Sequence, residues 1–300
     1  MEFVSQADGN ETAGRFFDNI SDSISRHAAG QTLFEVNAEA IQSLAQIIEI
    51  EEFREKTRRI GVPLQFKSLG EKVNFFTLVE VLRIGSFYEP LLVQATGNGC
   101  SDTVFFGLIN LHLSSIKMNA AFLATIPTFD VGTHFNIPLY EEEATEIPGV
   151  TADKPTALYS YADKLRDRMN ACGQILLKLG CEDFADFFSK VLAEPPIEME
   201  RFCQKISETF PLEGISIGQI ESCSDKEAPE TKRPDEESDT PFSSRPVIAF
   251  HQASLRLGTE LYFRFKDENE QFRGLEGAHR APPSVDARAL SALFRLGLVR

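Results

Sequence analysis

The sequence predicts a mainly α-helical protein with one small β-hairpin, and three observations carry that expectation. Apolar residues recur at three- and four-residue spacing through most of the chain. Only two short runs, Ile215–Ile220 and Pro246–Phe250, read as strands. No internal repeat shows, so the helices build one unit rather than a solenoid. With 300 residues, 42% of them hydrophobic and 25% charged, the chain is long enough for a large core and has ordinary globular usage.

Taken in order, residues 1–30 are polar, and Phe16-Phe17 with Ile20 and Ile24 support at most one short amphipathic helix in a loosely held lead-in. The main domain is expected over 31–300. Val36, Ala40, Ile41, Leu44, Ile47 and Ile48 fall at helical spacing, with Asn37 or Thr32 as cap. Leu69 to Glu89 is the next helix, carrying Val73, Phe76, Leu78, Val79, Val81 and Leu82 before Gly85 and Pro90 end it. Gln94 to Asp102 is a glycine-rich turn into an apolar helix over Thr103–Ser115. Gly97, Asn98 and Gly99 offer amides to a phosphate there, although no Gly-Lys-Ser/Thr follows and a plain helix-ending turn explains the stretch equally well. Ala120–Ile126 starts another helix, and Glu141-Glu142-Glu143 reads as a solvated loop.

Tyr159 to Leu179 is a clean helix with Tyr161, Leu165, Met169, Cys172, Ile175 and Leu176 inward and Gly180 as cap. Phe184–Leu192 and Met199–Phe210 are two further amphipathic helices, and Ala253–Phe265 is another. Between the two strand-like runs, residues 221–244 are almost all Ser, Asp, Glu, Lys, Pro and Thr, which is the composition of a disordered acidic insert. Ordering each residue costs about 1–2 kcal/mol, and this stretch has nothing to bury in return. Fast amide exchange and ready proteolysis across Lys226–Asp239 are the expected results; protection there would overturn the expectation.

Composition excludes several function classes. A formal charge of −15 argues against gripping long nucleic acid by its phosphates, so a small ligand or another protein is the expected partner. Five cysteines (Cys100, Cys172, Cys181, Cys203, Cys223) form no Cys-x-x-Cys pair and read as reduced thiols. No apolar run approaches membrane-spanning length, and the first residues lack the features of a signal peptide. A cytoplasmic location, or a nuclear one, is therefore expected.

The C-terminal stretch from Pro282 organises the functional reading. Two prolines stop what precedes, Ser284 caps, and Leu290, Leu293 and Phe294 share one face until Gly297 ends the helix. Asp286 thus falls in a helix's first turn, where the dipole holds a carboxylate ionised. By itself that position stabilises a helix and nothing more.

The order of elements, together with Pro63-Leu64-Gln65-Phe66, Gln94-Ala95-Thr96-Gly97-Asn98-Gly99, Ile147-Pro148-Gly149-Val150, Asn170-Ala171-Cys172-Gly173-Gln174-Ile175-Leu176-Leu177, Thr209-Phe210-Pro211 and Val285-Asp286-Ala287-Arg288-Ala289-Leu290 before Leu296-Gly297, resembles the queuosine salvage protein family, most closely its fungal branch. The likeness runs from about residue 32 to the end outside the insert, and its specificity lies in the order of the motifs. It implies a fold like that of helix-hairpin-helix DNA glycosylases and hydrolysis of queuosine 5′-phosphate to free queuine. It also implies no metal or redox cofactor.

By the same resemblance Asp286 matches the catalytic aspartate. Cleaving an N-glycosidic bond builds positive charge at C1′, and a carboxylate beneath the sugar stabilises or attacks that centre. Phe87, Tyr88, Phe105 and Phe106 match pocket segments, where flat faces suit a deazaguanine, though 25 phenylalanines in one chain mostly pack a core. Arg83 stands where the family often has Asn, and it reads either as a fork for the 5′-phosphate or as a surface charge. His251, with Gln252, replaces a basic pair. The chain has no Trp, although relatives carry Trp in the segments equivalent to Phe87-Tyr88 and Phe105-Phe106, and many relatives continue past the position of Arg300. A catalytically silent helical relative that binds a nucleotide or a protein is the alternative reading.

Overall fold

The computed structural model describes residues 16–28, 36–49, 51–52, 64–146, 150–193, 197–212, 251–282, 292–293 and 295–298. The strand-like runs at 215–220 and 246–250, the acidic insert 221–244 and Asp286 lie outside the described residues. What is described is mainly helical, with one two-stranded antiparallel hairpin.

The molecule is built around α3 (Leu69–Val81), which is capped by the Ser68 hydroxyl on the Glu71 amide at 3.1 Å. Phe75, Phe76, Leu78 and Val81 leave this helix almost no polar stripe, so it is buried nearly all round rather than on one face. Around it pack α5 (Cys100–Leu113), α9 (Phe184–Val191) and α11 (Gln252–Phe265). A buried Asn ties two of these layers: Asn74 Nδ2 donates to the Met118 carbonyl at 2.7 Å, while its Oδ1 accepts from the Phe184 amide at 3.2 Å. A second pair of helices, α6 (Ala120–Thr125) and α8 (Tyr159–Lys178), meets closely at Gly173, and α7 (Thr128–His134) flanks α8. α10 (Met199–Thr209) packs on α11, and α12 (Glu270–Arg273) follows it.

Several elements match their sequence expectation. In α8 the inward set Tyr161, Leu165, Met169, Cys172 and Leu176 is buried with Ile175 half-buried beside it, and Gly180 ends the helix with φ 64°. Asn37 caps α2 (Ala38–Ile47) by accepting from the Ala40 amide at 3.1 Å. Gly297 adopts φ 66°, and the Leu298 amide reaches back to the Leu293 carbonyl at 3.0 Å, the six-to-one bond of a glycine-terminated helix. Leu298 is buried, and its carbonyl accepts the Asn37 amide at 2.9 Å, so the chain's last described turn is tied to the start of α2.

Other elements differ, each for a physical reason. α3 stops at Val81 instead of continuing to Glu89, because Gly85 takes φ 77° and turns the chain into a 3-10 turn, Ser86–Tyr88. Pro90 then opens α4 (Glu89–Thr96), where a missing amide costs nothing, rather than closing α3. Residues 141–143 are part of strand β1 (Tyr140–Ala144), paired antiparallel with β2 (Thr151–Pro155) in the register Glu142 to Asp153. Both strands are exposed along their length, so no alternation marked them in the sequence. In the N-terminal lead-in, the one short amphipathic helix that the sequence allowed is α1 (Phe16–Ala28), which docks on α10 with Phe17 and Ile20 buried. The apolar side of α2 is exposed, Ile41 to 45% and Ile47 to 75%, and none of the helix's residues is buried. Two short strands, β3 (Ile197–Glu198) and β4 (Leu275–Glu276), pair in parallel.

Candidate functional site

Of the candidate residues that are described, Arg83, Phe87 and Tyr88 lie just past the C-terminal end of α3, Phe105 and Phe106 lie on α5, and His251 precedes α11. Glu80, only 7% exposed, sits in the last turn of α3 and is clamped by two guanidinium groups. Arg256 Nε donates to Oε2 at 2.7 Å and Arg83 Nη1 to Oε1 at 3.3 Å. A buried carboxylate requires such partners, and Arg256, one turn into α11, is the residue that the sequence alone did not single out. Arg83 keeps a third of its side chain exposed and makes the longer of the two bonds, so most of its donors remain open to a ligand. His251 precedes α11 with φ 44°; its Nδ1 lies 2.6 Å from Ser207 Oγ and its ring 5.0 Å from that of Phe16.

The four aromatic candidates divide. Tyr88 is buried, with its hydroxyl 3.0 Å from Ser160 Oγ, its ring 5.2 Å from the ring of Tyr161, and Lys164 Nζ 5.2 Å from its centroid. These contacts are all with protein. Phe105 is half-buried on α5 and meets Phe75 edge-on at 6.2 Å. Phe87 and Phe106 are exposed, to 83% and 53%. The structure therefore brings Arg83, Phe87 and Tyr88 onto one connection between α3 and α4, with Arg256 of α11 reaching Glu80 beside it, while the contacts of His251 are with Ser207 and Phe16. Asp286 lies outside the described residues.

The glycine-rich turn takes the plainer of its two readings. Gly97, φ 77°, returns its amide to the Val93 carbonyl at 3.0 Å and closes α4. At the start of α5 the Cys100 amide donates to the Glu89 carboxylate at 2.7 Å, and a side chain on Gly99 would collide with that same carboxylate. Glu89 thus takes the place a phosphate would need, as a carboxylate at a helix N-terminus is well suited to do.

Among the described residues the thiols offer no nucleophile. Cys100, Cys172, Cys181 and Cys203 are free and buried. Burial, with the Glu89 carboxylate beside it, pushes the Cys100 thiol up to about 12, and burial does the same for Cys172 and Cys203, so all three stay protonated at neutral pH. Among the described residues no group of three His, Cys, Asp or Glu side chains is arranged to hold a metal ion. No described helix is long and apolar enough to cross a membrane. Compared with known protein families and with curated proteins, the chain matches none.

Proposed function

We propose that the chain is a nucleotide N-glycosidase that releases queuine from queuosine 5′-phosphate. The observation that carries this reading is the order of the family-like motifs and where they fall in the fold. The stretch at 64–66 packs Phe66 against Phe75 and Phe76 ahead of α3. Gln94–Gly99 spans the end of α4 and the turn into α5, Asn170–Leu177 lies in the second half of α8 with Cys172, Gly173 and Leu176 buried, and Thr209–Phe210 closes α10. In this reading Asp286 lies under C1′ and offsets the charge that develops there, Arg83 takes the 5′-phosphate, and the exposed Phe87 and Phe106 supply flat faces to the base.

Arg83 gives a direct test. Its loss leaves Glu80 bonded to Arg256 through Nε at 2.7 Å, so Arg83→Ala should lower stability by no more than about 1 kcal/mol. Binding of queuosine 5′-phosphate should weaken by about tenfold or more, and binding of the dephosphorylated nucleoside should hardly change. Equal weakening of both ligands, measured by calorimetry, would leave Arg83 a structural charge.

One observation favours the alternative, a catalytically silent relative that binds a nucleotide or a protein. Tyr88 is committed to Tyr161, Ser160 and Lys164, and Phe87 stands 83% exposed, so these aromatics do not form an enclosed cleft among the described residues. Release of free queuine by the purified chain separates the two readings.

A further inference from the structure

The first turn of α1 is fastened by a buried charge. The Phe17 amide donates to Oε1 of Glu200 at 2.7 Å, and Glu200, in the first turn of α10, is 3% exposed. Its second oxygen, Oε2, has no hydrogen-bond partner among the described residues. A buried carboxylate oxygen without a donor is a standing cost that a bound cation would remove.

Beside it opens a cavity of about 180 Å³ lined by Phe17, Glu198, Glu200, Glu276, Gly277 and Arg280. Glu198 and Glu276 are held opposite one another by the β3–β4 pairing, and both are exposed at the rim. Among the described lining residues, three carboxylates stand against one guanidinium, a net negative charge, and the most deeply buried of the four charged groups is the one with an oxygen to spare. The carboxylates do not converge as metal ligands do, since no described group of three meets that geometry. The space is also far larger than an ion and admits a ligand of several non-hydrogen atoms.

We propose that this cavity binds a small organic cation through a primary ammonium group, with Glu200 as its buried counter-charge and Glu198 and Glu276 as the rim that attracts it. An ammonium brings three donors on a compact charge, and a charge-assisted bond to a buried carboxylate is among the stronger contacts available to a small ligand. Oε2 is itself shielded from water, so a direct bond to the ammonium requires the carboxylate to turn about its soft terminal torsion and to share the Oε1 bond from the Phe17 amide. None of the lining residues belongs to the nucleotide site proposed above, so either reading stands or falls without the other.

The test is calorimetric titration of the full chain with 1,4-diaminobutane at fixed ionic strength, with butane-1,4-diol and magnesium chloride as controls. The diamine should bind saturably at one site, and neither control should bind with comparable affinity. Glu200→Gln keeps a carbonyl for the Phe17 amide and should weaken the diamine by about tenfold or more, while Glu276→Gln should weaken it severalfold. Should Glu200→Gln fail to fold by circular dichroism, Glu276→Gln decides alone. No saturable binding, binding unchanged in the folded variants, or equal binding of magnesium or the diol would overturn the proposal.

Discussion

Gly173→Ala should unfold the protein at markedly lower denaturant, with a loss of about 2–3 kcal/mol. Gly173 lies in the middle of α8, where an alanine alone would favour the helix by about 1 kcal/mol. Here the added methyl group would run into backbone: the Ala120 carbonyl oxygen at 2.8 Å, the Leu123 carbonyl carbon at 2.7 Å and the Ala124 amide nitrogen closer still. Backbone cannot rotate away as a side chain can, so α6 and α8 must separate and open the packing around Leu123 and Met169, both fully buried. Gly70→Ala is the matched control. Its methyl group would meet the Ala185 Cβ at 3.6 Å, an ordinary contact, and its urea midpoint should stay close to that of the unaltered chain. If Gly173→Ala unfolds at the same urea concentration as Gly70→Ala, the close approach of α6 and α8 is wrong.

If the chain is the proposed N-glycosidase, Asp286→Asn should leave the fold intact and abolish most of the hydrolysis. Asn is nearly isosteric and well tolerated near a helix N-terminus, so the thermal midpoint should correspond to a loss of no more than about 1 kcal/mol. Turnover of queuosine 5′-phosphate should fall by about a hundredfold or more, because a neutral amide does not offset the positive charge that builds at C1′. Substrate should still bind, giving a trapped complex visible by calorimetry. A variant that cleaves as fast as the unaltered chain would remove Asp286 from the mechanism even if the reaction is as proposed.

How much of this was legible in the sequence depended on how local each feature is. The inward face of α8 and its glycine stop were readable because a long helix half in water writes its geometry as spacing. The end of α3 was not, because Pro90 both breaks and begins helices and only the left-handed turn at Gly85 decides which. The hairpin at Tyr140–Pro155 was missed since strands exposed on both faces carry no alternation, and a run of three glutamates looks like a loop. The apolar spacing of α2 was read correctly as helical, yet spacing says nothing about what covers a face, and Ile41 and Ile47 are exposed.

The sites follow the same division. Arg83 was noticeable as a charge ending an apolar helix, and its bond to Glu80 is only three residues long, but the competing bond to Glu80 from Arg256 comes from 176 positions away. The glycine-rich turn resembled a phosphate loop until Glu89, eleven residues before Cys100, proved to occupy the helix start. Glu200 gave no signal, being one acid among 45 acidic residues, and only its contact with Phe17, 183 residues away, sets it apart. Features made by non-local contacts are those a single sequence conceals.

The measurement that bears most directly on the central claim is incubation of the purified full chain with queuosine 5′-phosphate, followed by chromatographic detection of the products. The account predicts free queuine and ribose 5-phosphate in equal amounts, formed at a rate proportional to the amount of protein and without added metal. Binding of queuosine 5′-phosphate with no queuine released over many hours would contradict it, and would leave the chain a nucleotide-binding relative without the hydrolytic step.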